Sequence, residues 1–342
     1  MSSSSSFSHH PSSQNGSGQR PEQRVLITGA GGQIGVELTI RLRQILGRNN
    51  VLATDVRDQA EILGYPFEQL DVTENERLRE IVADFQPTRI YHLASLLSAT
   101  AEQKPHLAWE VNVQGLLQVL EVCREFEVER LFWPSSIAVF GPGTPRDHTP
   151  QETVIDPATV YGISKLAGER WCAYYHKRYG LDVRSLRYPG LISYGAPPGG
   201  GTTDYAVDIF YKAIEDASYT CFLKPDAALP MMYMEDAIRG TLEIMDAPAR
   251  NIDIRSSYNF AAVSFTPAEL AASIQKRMPG FRILYEPDFR QAIADTWPRS
   301  IDDSSARQQW GWSHRFGLDG IVTDMLEQIR RKLGQPAQGL HS

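Results

Sequence analysis

The chain has 342 residues, of which 42% are hydrophobic and 22% charged, and its 34 basic and 41 acidic side chains give a net charge of −7. At roughly 150 residues per domain, this length predicts two domains or one large domain with an added lobe. The acidic balance argues against a nucleic-acid partner, because neutralising phosphates requires a basic face. No apolar run approaches the length of a bilayer span, which argues against a membrane role.

The cysteines and the two ends of the chain bear on compartment. Cys123, Cys172 and Cys221 are widely spaced and odd in number, so they indicate neither a disulfide framework nor a metal site and favour a reducing compartment. Serine provides nine of the first twenty residues, and we expect residues 1–23 to be a disordered tail and 336–342 to be flexible. The tail lacks the apolar region of a secretory signal and is poor in arginine for a mitochondrial one, so we expect a cytoplasmic or mitochondrial matrix protein that is not secreted.

Short apolar strands alternate with amphipathic helices from residue 24 onward. The predicted strands are 25–27, 50–54, 90–93, 130–133 and 183–186, and the predicted helices include 34–46, 109–126 and 160–175. This alternation predicts an α/β fold with a doubly wound parallel (Rossmann) sheet, covered by helices on both faces.

The pattern loosens after residue 195, where prolines and glycines indicate a loop. We therefore predict a dinucleotide-binding domain over 24–195, to which the chain returns near 230–262. Residues 196–229 and 263–335 are predicted to form a smaller α/β substrate lobe, with an isolated strand at 282–285.

A glycine-rich turn joins the first predicted strand to the first predicted helix. Gly29, Gly32 and Gly35 are spaced three apart, and Gln33 and Ile34 open the helix. Glycine permits the tight turn and lets backbone amides approach a pyrophosphate, which the helix N-terminus then favours electrostatically. The position of the turn, directly between strand and helix, predicts a dinucleotide site.

Asp55 selects the form of the dinucleotide. It ends the second predicted strand, twenty residues after Gly35, where a ribose 2′-hydroxyl requires an acceptor. A carboxylate there repels a 2′-phosphate, so NAD is predicted in preference to NADP. Arg57 argues the other way if it receives that phosphate, and is otherwise a surface charge.

Tyr161 and Lys165 are four residues apart on one face of a predicted helix, and Ser136 follows the fourth of the strands given above. A phenol has a pKa of about 10 and must lose its proton near neutrality to act as a base. An ammonium roughly 4–5 Å away contributes about 4 kcal/mol at an effective dielectric near 20, equivalent to about three pKa units. We therefore expect Lys165 to lower the pKa of Tyr161. Taken alone, such a pair is more often a surface contact, but the dinucleotide site favours catalysis.

The glycine spacing, the Tyr161/Lys165 pair and segment 135–141 resemble the extended short-chain dehydrogenase/reductase superfamily, which includes the nucleotide-sugar epimerases. The resemblance covers residues 24–333 approximately. It implies that Ser136 orients a substrate hydroxyl, that Tyr161 exchanges its proton and that Lys165 holds the ribose.

The same resemblance implies further contacts with the cofactor. They are Asp71 and Val72 beside the adenine, Leu93, Ala94 and Ser95 along the strand next to it, Asn112 in the following helix, and Tyr188 and Pro189 at the nicotinamide side. The alternative for Asn112 is a buried helix asparagine satisfied within the protein, and the alternative for His92 in the neighbouring strand is a packed strand histidine. The superfamily also implies a homodimer through helices 109–126 and 160–175, where Trp171, Tyr174 and Tyr175 are either exposed or part of the core.

Segments 198–206, 229–237 and 297–303 are similar to the short-chain-type L-threonine 3-dehydrogenases. In the first segment, a glycine loop ends in two hydroxyls and a carboxylate, which suit the carboxylate and ammonium groups of a small amino acid; these residues are Gly201, Thr202, Thr203 and Asp204. Such a loop closes over its substrate and excludes water. The alternative is that Thr202 or Thr203 caps a helix. Ser98 resembles another substrate contact, with a plain turn serine as its alternative.

The resemblance therefore implies NAD-dependent oxidation of the C3 hydroxyl of L-threonine to 2-amino-3-oxobutanoate. A nucleotide-sugar epimerase or dehydratase is the first alternative, but Gly190 stands where those enzymes usually carry an asparagine, and 195–204 has no basic cluster for a diphosphate. A non-catalytic NAD-sensing module is the second, and Tyr161 and Lys165 argue against it.

Overall fold

The computed structural model describes residues 23–195 and 201–334, so most of the predicted tail, residues 196–200 and the segment 336–342 lie outside the described residues. The strands are β1 (Val25–Thr28), β2 (Val51–Asp55), β3 (Phe67–Gln69), β4 (Arg89–His92), β5 (Arg130–Ser136), β6 (Asp182–Tyr188), β7 (Gly190–Ile192), β8 (Ser218–Cys221), β9 (Leu229–Tyr233), β10 (Tyr258–Asn259), β11 (Val263–Phe265) and β12 (Arg282–Tyr285).

The helices surround these strands. They are α1 (Gln33–Leu46), α2 (Ala60–Leu63), α3 (Asn75–Phe85), α4 (Ser98–Gln103), α5 (Pro105–Trp109), α6 (Gly115–Glu125), α7 (Val160–Tyr179), α8 (Tyr205–Asp216), α9 (Met234–Asp246), α10 (Pro267–Gln275), α11 (Phe289–Ala294), α12 (Ser304–Trp310) and α13 (Leu318–Lys332). In the part of the chain so described, no helix combines the length and apolarity needed to cross a bilayer.

Seven parallel strands form the central sheet in the order β10-β6-β5-β4-β1-β2-β3. The strand order reverses between β1 and β4, and ligands of such sheets bind at the carboxyl ends of the strands beside this reversal. The doubly wound parallel fold predicted from the alternating pattern is confirmed.

Alternation along each strand divides the core into two layers. Val25 and Ile27 of β1 face the layer that includes Leu38 of α1 and Ile238 of α9. Leu26, between them, faces the opposite layer, formed with α3, α6 and α7. Since both faces are covered, the strands are apolar on both sides, which is why they were visible as continuous apolar runs.

The second half of the chain builds a smaller lobe on this sheet. It contains a three-stranded sheet, β11-β9-β7, and a parallel pair, β12-β8. Of the predicted return near 230–262, only β10 joins the central sheet, because β9 pairs with β7 and β11 instead. The strand predicted at 282–285 is β12, and its partner β8 carries alternating exposed residues that gave no apolar run.

The lobe is tied back to the central sheet beside β10. Thr149 forms a parallel bridge with Ile301. Asn259 of β10 donates from Nδ2 to the carbonyls of Thr149 and Asp302, at 3.0 Å in each case. This contact holds the segment after Trp297 against the carboxyl ends of the strands.

Candidate active site

The glycine turn after β1 packs closely on the end of β4. Gly29 has a φ of +71°, and a Cβ there would lie 2.5 Å from the backbone nitrogen of Ala94. A Cβ on Gly35 would lie 2.4 Å from the carbonyl oxygen of Gly29, so α1 also sits directly on the turn. Only glycine permits these two approaches, which bring Leu93 and Ala94 beside the turn as predicted for neighbours of one cofactor.

The N-terminus of α1 has the properties of an anion site. Gly32 is its N-cap, no side chain of the described residues caps it, and its first turn holds no acidic residue. The amides that follow, beginning with Gln33 and Ile34, are therefore available at the positive end of the helix dipole. A Cβ on Gly32 would lie 3.3 Å from the Gly29 carbonyl oxygen, a tight contact, so glycine also suits the N-cap position. A dinucleotide pyrophosphate fits this arrangement.

Asp55 ends β2 beside the same turn and is 6% exposed. Its two carboxylate oxygens accept hydrogen bonds from the backbone nitrogens of Gly31, at 2.9 Å, and Arg57, at 3.1 Å. The carboxylate is thereby fixed next to the glycine turn, where a ribose hydroxyl would need it. The guanidinium of Arg57 lies 3.9 Å away and is 72% exposed, so this ion pair is weak.

The residues predicted to lie beside the adenine follow β3. Asp71 accepts hydrogen bonds at Oδ1 from the backbone nitrogen and the hydroxyl of Thr73, at 2.9 and 2.7 Å, and so closes a turn. Val72 is buried, and its Cγ2 would lie 3.0 Å from a Cβ on Gly115 of α6. This close contact sets the edge of the predicted adenine region.

Asn112 connects the segment after β4 to α7. It lies in one turn of π-helix, Glu110–Gln114, which joins α5 to α6, and such turns are frequent at functional sites. Its Oδ1 accepts from the hydroxyl of Ser95, at 3.1 Å, and the nitrogen of Leu96, at 2.7 Å. Its Nδ2 donates to the Leu96 carbonyl, at 3.0 Å, and to Ser164 Oγ, at 3.1 Å. The side chain therefore acts within the protein, and we expect it to position the cofactor site.

Ser136 and Tyr161 lie together at the end of β5. Ser136 accepts a hydrogen bond from the nitrogen of Ala138, at 3.2 Å, which fixes its rotamer. The N-terminus of α7 presses on the same turn, because a Cβ on Gly162 would lie 2.1 Å from the Ala138 carbonyl oxygen. Thr159 caps the helix through Gly162, at 3.0 Å. Tyr161 is thereby held beside Ser136, whose hydroxyl lowers the pKa of the phenol.

Lys165 is buried one turn further along α7. Its Nζ donates to the carbonyl of Pro134, at 2.8 Å, and lies 4.7 Å from the centre of the Trp133 ring. It is 5.5 Å from the centre of the Tyr161 ring. Burial lowers the pKa of this ammonium to about 7.

The expectation that Lys165 lowers the pKa of the phenol is wrong for this structure. Burial raises the pKa of Tyr161 to about 12, and the hydrogen bond with Ser136 offsets only part of that rise. Removal from water disfavours the phenolate, and the same removal disfavours the charged form of Lys165. The spacing of Tyr161 and Lys165 along the chain does not show that both side chains are buried, so the expected pKa of the phenol did not include the effect of desolvation.

His92 completes the row of side chains at the strand ends. Its Nδ1 lies 2.7 Å from the hydroxyl of Thr28 in β1, and its Nε2 is buried with no partner among the described residues. Burial, assisted by the charge of Lys165, lowers the pKa of the imidazole to about 3. His92 is thus a neutral, packed side chain, in agreement with the alternative given for it.

Below these residues lies an ion pair that the sequence analysis missed. Glu169 of α7 and Arg187 of β6 are both buried and form two hydrogen bonds of 2.8 Å. Ser135 donates to Glu169, at 2.7 Å, and Arg187 donates to Asn259 Oδ1, at 3.0 Å. The only available signal was the position of both charges within apolar stretches.

Tyr188 and Pro189 lie at the end of β6, as expected for the nicotinamide side. The Tyr188 ring, however, packs edge-on against Phe132 and Phe260, at 6.4 and 5.4 Å, and its hydroxyl bonds that of Thr241. Its side chain therefore belongs to the core, and we expect its contribution to the site to come from the backbone.

The predicted substrate residues fall into two places. Ser98 is the first residue of α4 and half-buried. The other four precede α8; Asp204 accepts at Oδ2 from the nitrogen of Gly201, at 2.8 Å, which closes the turn 201–204. The helix N-cap is Asp204, with no side-chain capping bond, so neither Thr202 nor Thr203 has the capping role considered as their alternative. Residues 198–200 of the loop lie outside the described residues.

Comparisons with known proteins identify the family. Residues 25–261 match the model of the NAD dependent epimerase/dehydratase family. The chain belongs to this family. A curated relative from Staphylococcus haemolyticus, described as an uncharacterized epimerase/dehydratase, is 47% identical over 314 residues, which are 91% of this chain and 98% of the relative.

Solved structures give a finer comparison. A GalE-like L-threonine dehydrogenase from Cupriavidus necator, in its holo form, is 56% identical with a TM-score of 0.88 and covers 90% of this chain and 99% of its own. A monomeric L-threonine 3-dehydrogenase from a metagenome, in its apo form, is 44% identical with a TM-score of 0.87 over the same shares. Membership of the extended short-chain dehydrogenase/reductase superfamily and NAD as the cofactor are thereby confirmed.

Proposed function

We propose that this family member is an NAD-dependent L-threonine 3-dehydrogenase, which oxidises the C3 hydroxyl to give 2-amino-3-oxobutanoate. The observation that carries the proposal is the phenol of Tyr161, which lies close enough to Ser136 for that hydroxyl to lower its pKa and is 5.5 Å, at its ring centre, from the buried Lys165 Nζ. The names of the similar solved structures support this choice of substrate over a nucleotide sugar.

In this proposal the residues of the chain divide the chemistry. Ser136 donates a hydrogen bond to the C3 oxygen, and Tyr161, as the phenolate, accepts the hydroxyl proton at its oxygen as the C–H bond breaks. Bound NAD⁺ supplies the hydride acceptor and a positive charge close to the phenol. Lys165, whose Nζ donates to the Pro134 carbonyl and lies over the Trp133 ring, would hydrogen-bond the ribose.

The substrate is proposed to lie between Tyr161 and the turn 201–204. Thr202 and Thr203 would bind its carboxylate and Asp204 would face its ammonium. Asp204 already accepts from Gly201, so its carboxylate is oriented by the turn that it closes. Ser98, at the start of α4, is proposed as a further substrate contact.

The first test is NADH formation by the purified chain with L-threonine, beside L-serine, D-threonine and UDP-glucose, and with NADP in place of NAD. We expect turnover with L-threonine and NAD. Tyr161→Phe removes the proton acceptor and should lower kcat by about 10²-fold or more, whereas Tyr65→Phe, at a tyrosine that is 69% exposed, should leave kcat unchanged. Conversion of UDP-glucose without threonine oxidation would replace the proposal with the epimerase function.

We propose that the chain is a homodimer. Trp171, Tyr174 and Tyr179 of α7 are 38%, 48% and 45% exposed and form one aromatic cluster with the buried Tyr175. Such a cluster on a helix surface is typical of an interface. Light scattering after gel filtration should give twice the chain mass, and Trp171→Glu should reduce it to that of one chain; a wild-type monomer, as in the metagenomic relative, would contradict the proposal.

We also propose a reducing compartment, the cytoplasm or the mitochondrial matrix. All three cysteines are free and buried, so no described residue needs an oxidising environment. Among the described residues there is also no group of three or more acidic, histidine or cysteine side chains arranged to hold a metal ion.

A further inference from the structure

Gly190 lies at the contact between the three-stranded sheet and the turn that precedes α8. It begins β7, and a Cβ on it would lie 2.5 Å from Sδ of Met231 and 2.7 and 2.8 Å from Cγ2 and Cβ of Thr203. Real Cβ atoms essentially never approach other atoms within 3.0 Å. Gly190 does not have a positive φ, so it is the space and not the backbone conformation that requires glycine here.

Both neighbours of Gly190 are held in place. Met231 is fully buried in β9 and is the register partner of Gly190. Thr203 belongs to the turn 201–204, whose ends are joined by Asp204 N donating to the Gly201 carbonyl, at 3.2 Å, as well as by the carboxylate bond described above. The Thr203 carbonyl accepts from Ala206 N in α8, at 3.1 Å. A side chain on residue 190 therefore cannot be accommodated by a rotamer change alone.

We propose that Gly190 is a positioning residue for the substrate: by carrying no side chain it lets Thr203 pack against the start of β7 and so fixes the turn 201–204, which holds the proposed substrate contacts. The contact leaves less than the space of one methyl group between the two elements. This inference rests on the proposed function, because the substrate to be positioned is L-threonine.

Gly190→Ala is the direct test. The added methyl group should displace Thr203 and raise KM for L-threonine about tenfold, because small misplacements of a substrate-binding group cost binding and orientation. The KM for NAD and kcat at saturating threonine should change less than about twofold, since the added methyl group meets Met231 and Thr203 and none of the residues of the glycine turn. A purely structural defect would instead lower kcat and the fraction of folded protein together.

Two further variants control for the added methyl group. Gly280→Ala places a Cβ where nothing lies within 4 Å and should match the wild type in every parameter. Met231→Ala removes the atom nearest to the new Cβ. Adding Gly190→Ala to Met231→Ala should therefore raise KM for L-threonine less than Gly190→Ala raises it in the wild type. This double variant also provides a folded protein if Gly190→Ala alone does not fold.

Hydrogen exchange of residues 201–208 tests whether Gly190 holds Thr203 in place, without requiring turnover. Five amides of this segment are bonded within it, and they should exchange faster in Gly190→Ala but not in Gly280→Ala. Unchanged exchange would show that Gly190 does not hold Thr203 in place. Faster exchange with an unchanged KM would show that this contact does not position the substrate. Failure of the wild-type protein to oxidise L-threonine would overturn the proposed function. The wild-type assay therefore distinguishes this outcome from the two outcomes for Gly190→Ala.

Discussion

At the scale of single residues, burial determines the ionisation of the site more than neighbouring charges do. Tyr161, Lys165 and His92 all have pKa values displaced towards the neutral form, and desolvation is the largest cause in each case. The three groups are therefore uncharged or only partly charged near neutral pH. Tyr161 must therefore lose its own proton before it can accept one from the substrate.

The stability of the fold should depend on His92 in acid. Its folded pKa of about 3 lies below the ordinary value of 6.5, so between these values the unfolded chain binds a proton that the folded chain does not. The free energy of unfolding should therefore fall as pH falls through this window, by up to about 1.4 kcal/mol per pH unit from this group.

His92→Asn keeps a hydrogen-bonding atom near Thr28 and removes the titration. Urea unfolding from pH 6.5 to 4 should show a smaller loss of stability in this variant than in wild type, while His106→Asn, at an exposed histidine, should follow the wild-type curve. Equal slopes for His92→Asn and wild type would show that His92 does not contribute.

At the scale of elements, close backbone packing at glycines determines where the reactive groups lie. Gly29 sets β1 against the end of β4, and Gly162 sets α7 against the turn after β5. Asn112 joins the loop after β4 to Ser164, whose hydroxyl donates to the Tyr161 carbonyl, at 2.7 Å. The helix that carries the phenol is thus attached to the segment beside the cofactor site.

Asn112→Ala should separate these elements. It removes the Asn112 hydrogen bonds to both Leu96 backbone groups, which should lower the free energy of unfolding by about 2–4 kcal/mol. It should also raise KM for NAD, because the segment 93–96 loses its anchor. Asn251→Ala, at an exposed asparagine, serves as the control for chemical denaturation and kinetics; a destabilisation equal to that control would contradict the bridging role.

The elements also show how far sequence reasoning extends. Strands buried on both faces were found from apolar runs, whereas β3 was missed because two of its three residues are polar. Helix 109–126 was predicted as continuous, but it contains the π turn at Asn112, whose altered hydrogen bonding leaves no trace in hydrophobic periodicity.

Within the candidate site, features formed by neighbouring residues could be predicted from the sequence, whereas contacts between distant residues could not. Glycine spacing and the Tyr161/Lys165 interval are local patterns and can be identified along the chain. The Glu169–Arg187 pair and the Gly190–Thr203 contact join residues distant in sequence, and their burial follows only from the packing of whole elements. Desolvation of Tyr161 belongs to the same class.

At the scale of the whole molecule, the buried ion pair links the sheet to the lobe. Glu169 and Arg187 join α7 to β6, and Arg187 continues to Asn259, which holds the carbonyls of Thr149 and Asp302. The lobe is thereby connected to the helix that carries the reactive phenol. We expect the two regions to unfold as one cooperative unit.

Removing one partner of this ion pair should lower the stability of the fold more than replacing both partners. Glu169→Ala leaves a buried guanidinium without its carboxylate and should cost about 3–5 kcal/mol of stability. Glu169→Leu combined with Arg187→Met should recover much of that loss, because no charge remains uncompensated. Thermal unfolding measures both, and a double variant less stable than Glu169→Ala would show that the pair contributes net stability in itself.

Helix α7 carries residues of the candidate site, of the buried ion pair and of the exposed aromatic cluster. Within fifteen residues it presents Tyr161 and Lys165 to the site, Glu169 to the core and Trp171 and Tyr174 to the outside. Each residue of an α-helix turns the chain by about 100°, so inserting or deleting a single residue between Lys165 and Glu169 would rotate the reacting groups relative to both the ion pair and the outer aromatic face. Length changes in this helix should therefore be absent from working relatives, even where substitutions on its outer face are common.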